Sequence, residues 1–382
     1  MEDDEPLKIA MIISSLGAGG SEKVLSMMAN YWAGRGQEVA VVTIASSDLD
    51  FFELHPGVRR IALGLITQST SVLGGIYHNL RRLRRLRQEI QDFGPEVVLS
   101  FVDKTNILTL LATHRLGLPV VISERTDPRL HRIGWFWHRL RGIVYPRASV
   151  VVVQSSAVLD WARRRFRSCR VIRIPNPIAD GVQPNCLKER KLELPGRVSR
   201  VASIGRLVPE KGYDLLLKAF SLSCDPGDEW GLVIYGEGPE RNRLERLARD
   251  LKVDEKVLFA GQVKNPLKAL ETVDLFVLSS RFEGFPNALL EAMSCGVPVI
   301  SFDCPSGPRE IIRNNEDGIL VPPGDMRLLA GAMKRLMSDA NERKRLGENA
   351  RRVTTRFGME KIMKMWEEAL IGSIAAGELG RQ

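Results

Sequence analysis

Two carboxylates and two cations are the residues of this chain best spaced for chemistry. Glu283 and Glu291 stand in Ser279–Ser306, SSRFEGFPNALLEAMSCGVPVISFDCPS, with seven residues between them. Arg206 and Lys211 stand five apart in GRLVPEKG. An arginine fork and a mobile lysine ammonium suit a diphosphate, and a carboxylate suits a sugar hydroxyl. The same residues also fit solvated loop cations, a surface acid and a solvated helix acid. Their company favours a site. Gly205, Gly236-Glu237-Gly238-Pro239 and Gly261-Gln262-Val263 each follow an apolar run of strand length. Cations, glycine turns and acids therefore gather at strand carboxyl ends, where open α/β sheets bind ligands. Within the first stretch, Asp274–Ser280 and Pro298–Phe302 read as buried strands, and Asn287–Ser294 reads as a helix,. Asn287 is expected as its N-cap behind Pro286. The loop thus sets backbone N–H groups at a helix N-terminus beside Glu283, a place for a ligand with both hydroxyls and phosphate.

The elements that must position these residues fall into two α/β runs. In the first, strands are expected at 8–14, 38–45, 58–63, 95–101, 119–123 and 149–155. Strand 8–14 leads into Leu16-Gly17-Ala18-Gly19-Gly20 and a helix from Ser21, an anion-cradling unit that lacks the G-x-G-x-x-G spacing of a dinucleotide site,. In the second run, strands are expected at 199–205, 230–235, 256–260, 274–280, 298–302 and 318–321. The runs are continuously apolar rather than alternating, which calls for parallel sheets covered on both faces. Ile174-Pro175-Asn176-Pro177 breaks the pattern, and the polar Gln183–Gly196 reads as an interdomain linker,. The fold class is α/β, with two doubly wound parallel-sheet halves facing across a cleft. The last 60 or so residues read as helical, with an amphipathic tail over Met359–Ile371,.

Composition narrows the function. A 382-residue chain with 44% hydrophobic and 26% charged residues is a globular protein of two or three domains,. Five cysteines (Cys169, Cys186, Cys224, Cys295, Cys304) form no C-x-x-C pair, which suits a reducing cytoplasm,. No apolar run nears the length of a bilayer-crossing helix,. The net charge of +9 is uneven: residues 76–147 carry 13 Lys/Arg against 6 Asp/Glu. A helix over 76–91 is expected to put Ile76, Leu80, Leu83 and Ile90 on one stripe and Arg81, Arg82 and Arg85 opposite,. Downstream, Trp135, Phe136, Trp137 and Tyr145 interleave with Arg132, Arg139 and Arg141. Such a patch fits an anionic membrane surface or a lipid diphosphate, or an arginine-rich solvated face over core aromatics. Nucleic acid would also suit it, but no nucleic-acid motif accompanies it and none is expected as a partner. Asp48-x-Asp50 has metal-binding spacing but follows the second strand of the first half, and is read as a solvated loop.

SIGRLVPEKG (203–212), GEGP (236–239) and EGFPNALLE (283–291) resemble the signature of the retaining family 4 glycosyltransferases, including its E-x7-E motif. Gly19-Gly20-Ser21-Glu22 resembles the amino-terminal GGxE of that family, and Pro175-Asn176-Pro177 its domain junction. SFVDKTN (100–106), SERTDP (123–128) and SFDCPSGPRE (301–310) resemble the branch that acts on bacterial polyprenyl-diphosphate-linked glycans and surface polysaccharides.

The resemblance implies a GT-B fold: an acceptor domain over 1–180, a donor domain over 181–358, and a helix over 359–382 crossing back to the first. It implies transfer, with retention and without a bound metal or other cofactor, from a nucleotide sugar to a polyprenyl-diphosphate-linked saccharide at the inner membrane face. UDP is favoured as the donor nucleotide, and GalNAc, Gal or Glc as the sugar. Carried over by position, Arg206 and Lys211 grip the donor diphosphate, Glu283 holds a donor-sugar hydroxyl and Glu291 the ribose. The Gly284-Phe285-Pro286-Asn287 backbone lies along sugar and phosphate, and the edge at Val263 reads the base. Asp103, Glu124 and Arg125 are the acceptor or base candidates, and the histidine usual near the donor is not evident. Arg81, Arg82, Arg85, Trp135 and Trp137 are the membrane or lipid-diphosphate candidates. The competing readings are a non-catalytic membrane- or nucleic-acid-binding protein, a GT-B nucleotide-sugar epimerase, and a glycan phosphorylase, which would need a pyridoxal-phosphate lysine.

Overall fold

The structure is a computed structural model that describes residues 5–66, 72–131, 133–179, 199–225 and 227–379. It divides into two compact units, Met1–Pro177 with Glu360–Gln382, and Ile178–Met359. The expected linker 183–196, the 180/181 boundary and Cys186 lie outside the described residues.

In the first unit, seven strands form one parallel sheet. In chain order the elements are β1 (Lys8–Ile13), α1 (Gly20–Ala33), β2 (Glu38–Thr43), β3 (Val58–Ala62), α2 (Val72–Phe93), β4 (Val97–Phe101) and α3 (Asp103–Ala112). There follow β5 (Val120–Ser123), α4 (Trp135–Val144), β6 (Val150–Val153), α5 (Ser156–Arg165) and β7 (Arg170–Arg173). The strand order is β3-β2-β1-β4-β5-β6-β7. Ile9 pairs with Val39 on one side and Val97 on the other, so the order reverses between β1 and β4. Ile9–Ile13 are all 0% exposed, which is why that strand is apolar at every position rather than at alternate ones,. The edge strand β7 was not expected. Only Val171 of it is buried, so it lacks a continuous apolar run.

The second unit has six parallel strands in the order β10-β9-β8-β11-β12-β13. These are β8 (Ser199–Ile204), β9 (Trp230–Tyr235), β10 (Val257–Gly261), β11 (Leu275–Leu278), β12 (Val299–Phe302) and β13 (Ile319–Val321). The helices are α6 (Tyr213–Ser223), α7 (Arg241–Asp250), α8 (Pro266–Leu270), α9 (Asn287–Ser294), α10 (Pro308–Ile311), α11 (Met326–Ser338), α12 (Ala340–Ala350) and α13 (Val353–Phe357). Asp325 and Asp339 cap α11 and α12 by accepting from Leu328 N and Glu342 N,. Asn287 is the first residue of α9 and Pro286 takes the N-cap position, so the expected asparagine cap is displaced by one residue.

The last helix, α14 (Met359–Leu379), packs on the first unit. Trp366 is fully buried with its ring 5.9 Å from Phe101, and Trp32 Nε1 donates to Glu367 at 3.2 Å. Among the described residues no helix is long and apolar enough to cross a membrane.

Candidate functional site

In the second unit, the turns after β8 and β11 are tied together. Ser279 Oγ donates to Lys211 O at 2.9 Å, Arg281 N to Glu210 O at 2.8 Å, and Arg281 Nη1 to Pro209 O at 2.6 Å. Arg281 also forks onto both oxygens of Asp214 at 2.9 and 2.8 Å. Gly212 makes this close approach possible. Its φ is +64°, and a Cβ there would stand 2.1 Å from Ser279 O,. The result is that Lys211 Nζ meets Glu283 Oε1 at 2.6 Å, where Ser280 Oγ also donates at 2.6 Å. Glu283 is 9% exposed, and its backbone carbonyl accepts from Ser306 Oγ. The two motifs that the sequence offered separately, GRLVPEKG and EGFPNALLE, thus share one hydrogen-bonded centre.

The other expected donor residues are placed as follows. Arg206 is exposed and makes no ion pair among the described residues, so its guanidinium is open to an anion. Glu291 is buried on α9, also at 9% exposure. Phe285 and Pro286 are buried, with the Phe285 ring 5.7 Å from Phe357, so these two side chains pack inward and support the loop. Gly236 and Gly238 serve loop packing. A Cβ at Gly236 would lie 1.9 Å from Gly205 O, and one at Gly238 2.4 Å from Leu207 O. Val263 is half-buried against the core of this unit. Burial, then Glu283, pushes the Cys304 thiol up to about 12, which keeps it protonated and inert,. Ser280, Arg281 and Ser306 were not singled out in the sequence. Serines and an arginine in a loop give no signal until their partners are known.

In the first unit, Gly19 caps α1 and Gly20 opens it, with the Glu22 carboxylate folded back over Gly19. Asp103, Glu124 and Arg125 lie after β4 and β5 and are all buried. Arg125 lies over the Phe101 ring at 4.3 Å and donates to Asn176 Oδ1 at 2.7 Å and Ser123 Oγ at 3.3 Å. Burial lowers its pKa to about 9, and Glu22 opposes that fall,. Glu124 accepts from the Tyr145 hydroxyl at 2.8 Å, and Arg141 Nη1 is 3.7 Å away. Burial pushes its pKa up to about 7, with Arg141 pulling down and Asp103 pushing up. His131 Nε2 stands 3.4 Å from Asp103 Oδ2. His131, Asn106, Tyr145 and Arg141 complete this cluster and were not proposed as site residues. Asn106 lies inside the SFVDKTN stretch and was within reach of a motif argument.

The basic patch is less uniform than its sequence. Arg81, Arg84 and Arg85 line a groove of about 340 Å³ with Leu63, Leu65, Tyr77 and Leu80. Arg82 instead turns inward, donating to Leu65 O at 3.0 Å. Of the expected stripe of α2, Ile90 is buried and Leu83 packs against the core, but Leu80 is 48% exposed and Leu86, which was not on the stripe, is buried. Trp135 is 73% exposed, but Trp137 packs against the core and Arg141 is buried. Asp50 is bound by Arg60 through two bonds of 2.8 Å, and Asp48 accepts from Ser46 Oγ. Among the described residues no group of three His, Cys, Asp or Glu is placed to hold a metal ion.

Residues 19–177 match the glycosyl transferase 4-like domain and residues 187–353 the glycosyl transferases group 1 family. An uncharacterized glycosyltransferase of Methanocaldococcus jannaschii is 33% identical over 77% of this chain and 84% of its own. The chain belongs to this family of glycosyltransferases, with the two parallel-sheet domains of the GT-B fold. A Campylobacter jejuni protein named GalNAc-alpha-(1->4)-GalNAc-alpha-(1->3)-diNAcBac-PP-undecaprenol alpha-1,4-N-acetyl-D-galactosaminyltransferase is 28% identical over 94% of this chain and 97% of its own. An exopolysaccharide phosphotransferase of Streptomyces coelicolor, 35% identical, is much longer: the match spans 58% of this chain and 23% of that one. Among solved structures, Anabaena HepE in complex with UDP and glucose superposes with a TM-score of 0.77 at 19% identity, over 96% of this chain and 100% of HepE.

Proposed function

We propose that the chain is a retaining enzyme that moves a hexose or N-acetylhexosamine from a UDP-sugar to a polyprenyl-diphosphate-linked saccharide, forming an α linkage. The observation that carries this reading is the Lys211–Glu283–Ser280 centre, locked between two strand ends beside the exposed Arg206. The reaction breaks the bond between the sugar anomeric carbon and the diphosphate, and negative charge grows on the leaving oxygens. Arg206 and Lys211 meet that charge, and cations held in place before the reaction stabilise it most in the transition state. The acceptor hydroxyl forms the new bond on the same face of the sugar, and its proton passes to a leaving phosphate oxygen. Glu283 holds a donor-sugar hydroxyl and Glu291 the ribose. The two side-chain cations and the backbone N–H groups at the start of α9 perform the task a metal ion would otherwise have.

UDP as donor is supported by the likeness to HepE, solved with UDP and glucose. The polyprenyl-linked acceptor is supported by the name and full-length match of the Campylobacter relative. The acceptor lipid suggests work at the inner face of the cytoplasmic membrane. Arg81, Arg84 and Arg85 beside Tyr77 and Leu80, with the exposed Trp135, suit anionic headgroups or a lipid diphosphate,. A panel of nucleotide sugars offered with a polyprenyl-diphosphate disaccharide, with linkage assigned by NMR, tests the proposal. An α-linked trisaccharide made from a UDP-sugar supports it. A β-linked product, or turnover unaffected by Glu283→Ala, refutes the mechanism.

A further inference from the structure

Three buried acceptor atoms near the carboxyl ends of β4 and β5 have no hydrogen-bond donor among the described residues: Asp103 Oδ2, Asn106 Oδ1 and Glu124 Oε1. They belong to one cluster. Asn106 Nδ2 donates to the Tyr145 hydroxyl at 3.3 Å, Tyr145 donates to Glu124 Oε2 at 2.8 Å, and the Asp103 charge acts on Glu124. The surrounding polar groups are used elsewhere or misaligned. Lys104 N donates to the other oxygen of Asp103, Arg141 faces Glu124 Oε2, and Asn106 Nδ2 also donates to Ser123 O. His131 Nε2 approaches Asp103 Oδ2 to 3.4 Å, and the Thr126 hydroxyl interacts with the Glu124 carboxyl, yet none of the three atoms gains a well-aligned donor.

An orphaned buried acceptor has lost its hydration without gaining a donor, so three in one cluster call for a partner. A proton on Glu124, whose carboxyl burial raises, can pair two of them at most. The third still needs a donor from outside. The turn itself is under strain, since Val102, a β-branched residue, has a φ of +74°,. The partner must bring donors and no negative charge. Ring hydroxyls and an acetamido N–H do so; a carboxylate or phosphate brings more acceptors into a site already holding two carboxyl groups.

We propose that the Asp103–Asn106–Glu124 cluster takes the terminal sugar of the acceptor, and that it selects an uncharged hexose or N-acetylhexosamine against a uronic acid or a phosphorylated sugar. This rests on the reading of the first unit as the acceptor side of a glycosyltransferase. A ring hydroxyl replaces His131, which is 46% exposed, over the Asp103 carboxylate. The specificity is set by charge and by donor count, and it lies wholly within the first unit.

Ligand-observed NMR on the full chain tests this without requiring turnover. The probes are the methyl glycosides of galactose, N-acetylgalactosamine and galacturonic acid, with galactose 6-phosphate. The neutral glycosides are expected to bind, and the two anionic sugars about tenfold or more weaker. The ratio should narrow in Asp103→Asn, and because it is read within each variant, a loss of folded protein cancels. Equal or tighter binding of the anionic sugars, or no binding by any probe, overturns the proposal, as does an unchanged ratio in Asp103→Asn. Failure of the transferase reading would show separately, as absence of transfer from every nucleotide sugar.

Discussion

Glu283 in the second unit has Lys211 and Ser280 on a single oxygen, while Glu124 in the first has one oxygen on Tyr145 and the other without a donor. Both carboxylates are buried at strand carboxyl ends, yet one is neutralised by a cation and the other is held towards its protonated form by burial. The contrast separates two kinds of site. On the proposed reading, charges that act on a leaving diphosphate are set in advance by hydrogen bonds from the protein, so little reorganisation accompanies reaction. On the proposed reading of the first unit, groups that recognise a ligand's hydroxyls are left short of donors until the ligand supplies them.

Breaking the satisfied centre should have the largest consequence. Lys211→Ala removes a proposed diphosphate cation and leaves Glu283 buried without its ion pair. Sugar transfer under saturating donor should fall by roughly two to three decades in kcat.

The unsatisfied centre should instead reveal itself through pH. The Glu124 carboxyl has an ordinary value of 4.5 and is raised to about 7 in the fold, so between these values the folded state binds a proton that the unfolded chain has released. Its contribution is therefore complete below about pH 4.5 and is lost as pH rises through about 7, a span worth roughly 3 kcal/mol,. Glu124→Gln should flatten that fall in denaturant-melt stability, whereas Glu283→Gln should leave it in place.

The next effect sharpens the backbone side of the comparison. Gly212→Ala places a Cβ against Ser279 O from a left-handed backbone and should destabilise the second unit by about 2 kcal/mol or more, read by chemical denaturation,. Gly36→Ala, also at positive φ but with nothing within 4 Å, should cost only the backbone term. Smallest is the basic groove: Arg84→Ala should weaken co-sedimentation with anionic vesicles by about 1 kcal/mol, while Arg82→Ala, whose guanidinium faces Leu65 O, should have less effect on binding,.

The difference between the units also explains what could be read from residues alone. Twelve of the strands were expected close to where they lie, because strands buried on both faces leave continuous apolar runs,. The edge strand β7 was missed for the complementary reason, having only Val171 buried. That Lys211 and Glu283 belong together could be argued from the sequence because they sit in local motifs: the turn after β8 and E-x7-E each occupy a few neighbouring residues, and the structure brings the two side chains into contact. What the sequence could not show is that Gly236 and Gly238 pack against other loops, or that Arg281 ties two turns together through Asp214. The first unit was less readable. Tyr145 and Arg141 reach Glu124 from the α4 region, where arginines and aromatics all looked alike as a basic surface. Tertiary burial alone separates Trp137 and Arg141 from the exposed Trp135.

The central claim is that the Lys211–Glu283 centre binds and activates a nucleotide sugar. It is tested most directly by measuring sugar release and transfer from UDP-GalNAc, UDP-Gal and UDP-Glc in the unaltered protein and in Lys211→Ala and Glu283→Ala. The account predicts turnover of at least one UDP-sugar, with both substitutions reducing it by about two decades or more in kcat. Turnover that survives both substitutions undiminished would contradict it.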